Sequence, residues 1–125
     1  MAAWRASRTP TVPHRLLVDG RDVAPLMHAD SWPARLRGLL GTAAGGPPYA
    51  RGALLLSPGN SVHGWGMRYA LDVAQLDAGL VVVRTAVLRR GGLLGARRGV
   101  RHVLEAERGA FAAWGLRAGS RVTVG

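Results

Sequence analysis

The sequence predicts a mainly β domain of the α+β class, a compact and mostly antiparallel β-sandwich or barrel with two short helices. Short apolar runs alternate with glycine-bearing turns along most of the chain, which is the pattern of many short strands. A length of 125 residues fits one domain with a core of its own. Cysteine is absent, so disulfides, thiolate metal sites and thiol nucleophiles are excluded and the fold depends on packing.

The first predicted elements are a tail and a hairpin. Pro10 and Pro13 predict a flexible N-terminal tail over residues 1–13, followed by a single domain over 14–125. Because the tail lacks the apolar core of a secretory signal, we expect a cytoplasmic protein. Strands over 15–18 and 21–26 flank an Asp-Gly pair at 19–20. That pair is the turn which two-residue hairpins prefer.

The middle of the chain predicts a helix and two strands. Asp30 is placed to cap a helix that ends at Gly41. A loop rich in glycine and proline over 43–52 then leads to strands over 53–57 and 71–76.

The last third predicts two more strands, a helix and a final strand. The unbroken apolar start of the strand over 80–88 predicts a central position, covered on both sides. A loop over 89–99, a strand over 101–105, a short helix over 108–114 and a strand over 121–124 follow. No apolar run is long enough to span a bilayer.

The charge is strongly positive, at +10 from 17 basic and 7 acidic residues, and every basic residue is arginine. GC-biased coding is the favoured explanation of this charge, and an anionic partner such as nucleic acid or acidic lipid is the alternative. Residues 89–101, called here the arginine loop, contain five arginines and no acid. Its candidate anion-binding residues are Arg89, Arg90, Arg97, Arg98 and Arg101. The alternative is a solvated loop without a ligand.

The segment 61–72 has the densest mixture of polar side chains. In an extended strand Arg68 and Asp72 share one face and flank a gap floored by Ala70, which suits a small polar ligand or a loop of a partner protein. The alternative is that both charges satisfy backbone groups of neighbouring loops. The candidate ligand-binding residues are Ser61, His63, Trp65, Arg68, Asp72 and Glu105. The first functional hypothesis is therefore a non-enzymatic accessory or binding domain.

Evidence for catalysis is weaker. A hydrolase centred on Ser61, His63 and Asp72 is a further hypothesis, but the sequence around Ser61 lacks the second glycine of a nucleophile elbow. The four histidines are scattered, which predicts no metal site, and no phosphate loop is present. We therefore predict no catalytic residue and no cofactor.

Several short motifs occur in an order that resembles the domain of unknown function 192 family. They are Arg-x-Arg-Gly-Leu at 35–39, an apolar strand at 53–56, aromatic-x-Met at 65–67, Leu-Asp at 71–72, Val-Leu-Glu at 103–105 and Gly-Leu-x-x-Gly at 115–119. The resemblance spans about residues 16–124 and implies a mostly antiparallel β-sandwich or barrel with no established activity. Ala70 stands where the family usually has proline, and Ser120 where an acidic residue is common.

Overall fold

The structure, a computed structural model, describes residues 14–29, 52–59, 61–63, 70–89 and 91–125. Nine strands lie in these ranges. They are β1 His14–Val18, β2 Arg21–Ala29, β3 Ala53–Leu56, β4 Val62–His63, β5 Leu71–Leu76, β6 Val82–Leu88, β7 Leu93–Leu94, β8 His102–Glu107 and β9 Val122–Val124.

The described ranges contain one helix, where the sequence predicted two. This helix, α1, spans Ala110–Trp114 and ends at Gly115, whose φ of 68° is the left-handed conformation that commonly ends helices. The helix predicted to begin at Asp30 lies outside the described residues. Within the described ranges no helix has the length and apolar character that crossing a bilayer requires.

Seven strands form one curled sheet in the order β6-β5-β8-β3-β2-β1-β9, and β4 pairs with β7 separately. β2 and β3 run parallel, whereas the other neighbours in the large sheet are antiparallel. The two outer strands meet at one end, where Val81 bridges Arg121 and the Val82 amide donates to the Ser120 carbonyl at 2.8 Å. This half-barrel confirms the mainly β, mostly antiparallel prediction.

The hairpin between β1 and β2 is confirmed, with Asp19 and Gly20 both at positive φ, 51° and 83°. The central position predicted for the strand over 80–88 is wrong, because β6 is an outer strand. Its apolar start is partly buried for another reason: this is where the curled sheet closes, and Val82 is only 2 % exposed there.

Both faces of the sheet are buried at its centre, so β3 and β5 have no exposed residue. The inner face holds the larger core, in which α1 packs Phe111 and Trp114 against strand residues such as Leu104. The outer face holds a second apolar cluster that includes Leu71 and Val103. A polar side chain on either face of β5, or in the middle of β8, is therefore buried next to an apolar cluster.

Candidate functional site

Asp72 binds the start of α1. Its Oδ2 accepts hydrogen bonds from the Gly109 amide at 3.0 Å and from the Phe111 amide at 3.1 Å. Gly109 is the N-cap of α1 and has no side chain to satisfy those donors, so a carboxylate on β5 takes over the capping role. For Asp72 the alternative raised above, a charge that satisfies a neighbouring backbone, is therefore what the structure shows.

Asp72 and Glu105 lie on opposite faces of the sheet. In the β5–β8 register Asp72 pairs with Ala106, whereas Val73 pairs with Glu105. Residues that pair directly share a face and successive residues alternate, so Asp72 is on the inner face and Glu105 on the outer face. Glu105 has no exposed surface and is neighboured by Leu54 and Val73. The structure does not bring these two candidate ligand-binding residues together.

The other members of that candidate set are described in part. Ser61 is exposed, and His63 lies in β4, where its backbone pairs with Leu93 of β7. Trp65 and Arg68 lie outside the described residues. A ligand site that combines these four side chains with Asp72 stays a prediction. In that site the Asp72 carboxylate already accepts hydrogen bonds from two backbone amides.

The arrangement of Asp72 also bears on the hydrolase hypothesis. In a Ser-His-Asp triad the carboxylate orients the histidine ring, and Asp72 is the carboxylate of the hypothesised set. Its Oδ2 instead holds the amides of Gly109 and Phe111. No group of three His, Asp or Glu side chains in the described part of the chain is arranged to hold a metal ion.

The arginine loop is anchored to the sheet at several points. The fully buried Gln75 of β5 donates from Nε2 to the Gly95 carbonyl at 2.8 Å and accepts from Arg84 Nε at 2.8 Å. Within the loop β7 pairs with β4, and the Arg101 amide donates to the Leu76 carbonyl at 2.8 Å. The sheet therefore anchors the loop at residues 93–95 and at Arg101.

A tight turn shapes the last part of the arginine loop. The Val100 amide donates to the Arg97 carbonyl at 3.1 Å, and Gly99 has a φ of 85°. A positive φ at the third residue is what a type II turn requires, and glycine adopts it without strain. Arg97 and Arg98 are exposed on this turn. Arg90 lies outside the described residues.

A cleft of about 320 Å³ lies beside this turn, lined by Pro58, Gly59, Val100 and Arg101. Its two walls are the segment after β3 and the segment before β8. The Gly59 amide joins them by donating to the Arg101 carbonyl at 2.8 Å. Arg101 is exposed, and its NH1 donates to the carbonyl of Val100, another lining residue, at 3.3 Å.

Ser57 and His102 form a polar pair beside the cleft. Ser57 Oγ lies 2.6 Å from His102 Nδ1, which makes a second link between the two walls. Burial lowers the pKa of His102 below its ordinary value, the nearby His28 lowers it further, and Asp77 opposes the shift. His102 is therefore neutral near pH 7 and serves as a hydrogen-bonding group there, while Arg101 supplies the positive charge of the cleft.

Ser57, His102 and the cleft were not among the site features predicted from the sequence. Ser57 and His102 are 45 residues apart and meet only because β3 pairs with β8. The local signal was the Pro-Gly pair directly after an apolar strand, which indicates a turn but not its neighbour. Arg101 was identified, as part of the arginine loop.

Comparison with known proteins agrees with this fold. The model of the domain of unknown function 192 family, described as Uncharacterized ACR, matches residues 16–124. A crystal structure of a protein of unknown function from Novosphingobium aromaticivorans is similar, with a TM-score of 0.68, 20 % identity, and coverage of 90 % of this chain and 84 % of that one. A "putative transcription regulator" from Sinorhizobium meliloti has a TM-score of 0.69 and 18 % identity, covering 89 % of this chain and 91 % of that one. Identities this low establish the shared fold alone. No curated protein matches the sequence.

Proposed function

This chain belongs to the domain of unknown function 192 family, described only as uncharacterised, and we propose that it is a non-enzymatic domain that binds a phosphate or carboxylate group through its arginine loop. The observation that carries the proposal is the cleft beside Arg101, at the end of an arginine-bearing segment that the sheet holds in place. The anion belongs to a small ligand or to a larger partner.

The positive charge of the exposed arginines supports this function. In the described part of the chain one salt bridge is present, between Arg15 and Asp22 on the surface, far from the arginine loop in the sequence. Arg89, Arg97 and Arg98 are exposed and have no carboxylate partner among the described residues. Arg97, Arg98 and Arg101 are all exposed within residues 97–101, and cations this near in the chain raise the local positive potential and attract anions.

The shape of the cleft supports a small anionic group. The cleft, of about 320 Å³, is shallow and largely open to solvent, so it suits the charged end of a ligand better than an enclosed whole molecule. A guanidinium offers a planar fork of donors that matches the oxygens of a phosphate or carboxylate. Among the described residues that line the cleft, Arg101 is the one with a charged side chain, and the proposal therefore gives it the role of binding the anion.

The test is the affinity for pyrophosphate, measured by calorimetry at low salt, for the wild type and for Arg101→Ala. A hydrogen bond to a charged group contributes about 1.5–3 kcal/mol, so the variant should bind roughly 10–100-fold more weakly. Parallel titrations with a single-stranded oligonucleotide and with phosphatidylserine vesicles identify which source of anion binds best. All three affinities should fall as salt is raised.

Arg108→Ala is the matched control, because it removes one exposed arginine from the turn before α1. The proposal predicts a much smaller effect in this variant than in Arg101→Ala. Equal losses in the two variants would mean that net charge alone binds the anion, and the cleft would then have no role. No pyrophosphate, oligonucleotide or vesicle binding at low salt would also overturn the proposal.

A further inference from the structure

The outer strand β6 has one edge that the described part of the sheet leaves unpaired. β5 covers one side of β6 along its length. On the other side, β6 is joined to the 119–122 segment only around Val82. From Val83 to Leu88 no described strand lies along this edge. Thr85 and Val87 are exposed, and Val87 is 41 % exposed despite its apolar side chain.

The hydrogen-bond pattern tells which backbone groups face this open edge. On the β6 side of β5, the Asp77 amide donates to the Val81 carbonyl. On the β8 side, the Leu76 carbonyl accepts from the Arg101 amide. Backbone groups alternate along an antiparallel strand, so Gln75, Val73 and Leu71 face β6 and bond their partners there. Those partners are Arg84, Ala86 and Leu88. The amides and carbonyls of Thr85 and Val87 therefore point away from β5, towards the open edge.

The charges around β6 determine what kind of strand this edge accepts. Arg89 is exposed just after one end of β6, and Arg121 is exposed at the other end, where its backbone bridges Val81. Three acids near β6 or its ends bind backbone amides: Asp72 holds the start of α1, Asp77 Oδ1 accepts from the amides of Gly79 and Val81, and Asp19 Oδ1 accepts from the Arg121 amide at 2.9 Å. A chain of net charge +10 repels a second copy of itself and attracts an acidic segment.

We propose that the open edge of β6 binds an extended acidic segment of a partner protein by strand addition. The backbone groups of Thr85 and Val87 form the new ladder, and Arg89 and Arg121 attract carboxylates at its two ends. Strand addition to an exposed edge is a common mode of peptide recognition, in which main-chain hydrogen bonds provide affinity and side chains provide specificity. This surface is separate from the cleft at Arg101.

The probe is a fluorescein-labelled eight-residue peptide of alternating valine and glutamate, titrated by fluorescence anisotropy. Thr85→Pro removes the outward amide but leaves the β5 ladder intact, because proline is tolerated on an edge strand where its missing N–H faces solvent. We expect this variant to bind about tenfold more weakly, the effect of one lost hydrogen bond. Thr85→Ala is the matched control, since it keeps the amide, and it should bind like the wild type.

Two measurements keep the test independent of the folding of Thr85→Pro. The same peptide N-methylated at alternate residues has no donors on one edge and should lose binding to the wild-type protein. Hydrogen exchange should show fast amides at Thr85 and Val87 in the protein alone and slow amides in the complex. An equally tight lysine version of the peptide, unchanged exchange on binding, or concentration-dependent dimerisation of the protein through β6 would each overturn the proposal.

Discussion

Replacing Asp72 with alanine removes the acceptor that holds the start of α1 to β5. Two amides then lose their partner, those of Gly109 and Phe111, and the bond to Phe111 is buried. The Gly109 amide is nearer the surface and regains a water molecule, so most of the loss comes from Phe111. Loss of a cap costs about 1 kcal/mol and an unsatisfied buried donor about 1–3 kcal/mol, so we expect a total of about 3 kcal/mol.

Thermal and urea unfolding measure this effect. With an unfolding entropy of about 2.1 cal/mol/K per residue, 3 kcal/mol in a 125-residue chain lowers Tm by about 11 °C. Asp72→Asn keeps a neutral acceptor of the same shape and should lose about 1 kcal/mol. Asp22→Ala is the matched control, because this half-exposed carboxylate only pairs with Arg15 at the surface and should cost less than about 1 kcal/mol. An Asp72→Ala variant that loses no more stability than Asp22→Ala would show that Asp72 does not stabilise α1 by capping it.

The remaining predictions concern pH, the core and the turn of the arginine loop. The folded-state pKa of His102 is lowered, so the unfolded chain binds the extra proton more readily and stability should fall as pH drops from about 7.5 to about 5.5. His102→Gln should flatten this fall in urea unfolding, and an unchanged slope would contradict the prediction. Leu104→Ala, at a fully buried position, should cost about 2–5 kcal/mol, whereas Leu93→Ala, at a position 73 % exposed, should cost less than about 0.5 kcal/mol. Gly99→Ala should lose about 1–2 kcal/mol through its positive φ alone, because nothing would contact the new methyl group. Gly95→Ala meets equally open space without that φ and should be nearly neutral, so equal melting temperatures would contradict the turn assignment.

Local signals in the sequence predicted the parts of the fold that depend on local chemistry. The Asp19-Gly20 turn needs two adjacent residues at positive φ, and this pair is visible in the sequence. The short helix before Gly115 is also predicted from a local signal, because glycine commonly ends helices in the left-handed conformation. The position of β6 at the edge of the sheet was missed because an apolar run indicates that residues are buried but not what buries them. Here the cause is closure of the sheet near Val82.

The candidate site was less predictable because it depends on pairing between distant strands. Alternation along β5 correctly separates Asp72 from its neighbours Leu71 and Val73, but it does not reveal that Asp72 meets Phe111, 39 positions away. Nor does it reveal that Glu105 lies on the other face, since that depends on the β5–β8 register. Ser120, where the family commonly has an acid, is 4 % exposed, and its Oγ accepts from the Arg117 amide at 3.0 Å to stabilise a turn.

Nuclear magnetic resonance of the ¹⁵N-labelled protein, titrated with pyrophosphate, tests anion binding at the cleft most directly. The backbone amides of Gly59, Val100 and Arg101 should shift first and saturate together, while those of Arg108 and Arg15 should change little. Shifts of similar size at all five positions, or none at the cleft, would contradict the account.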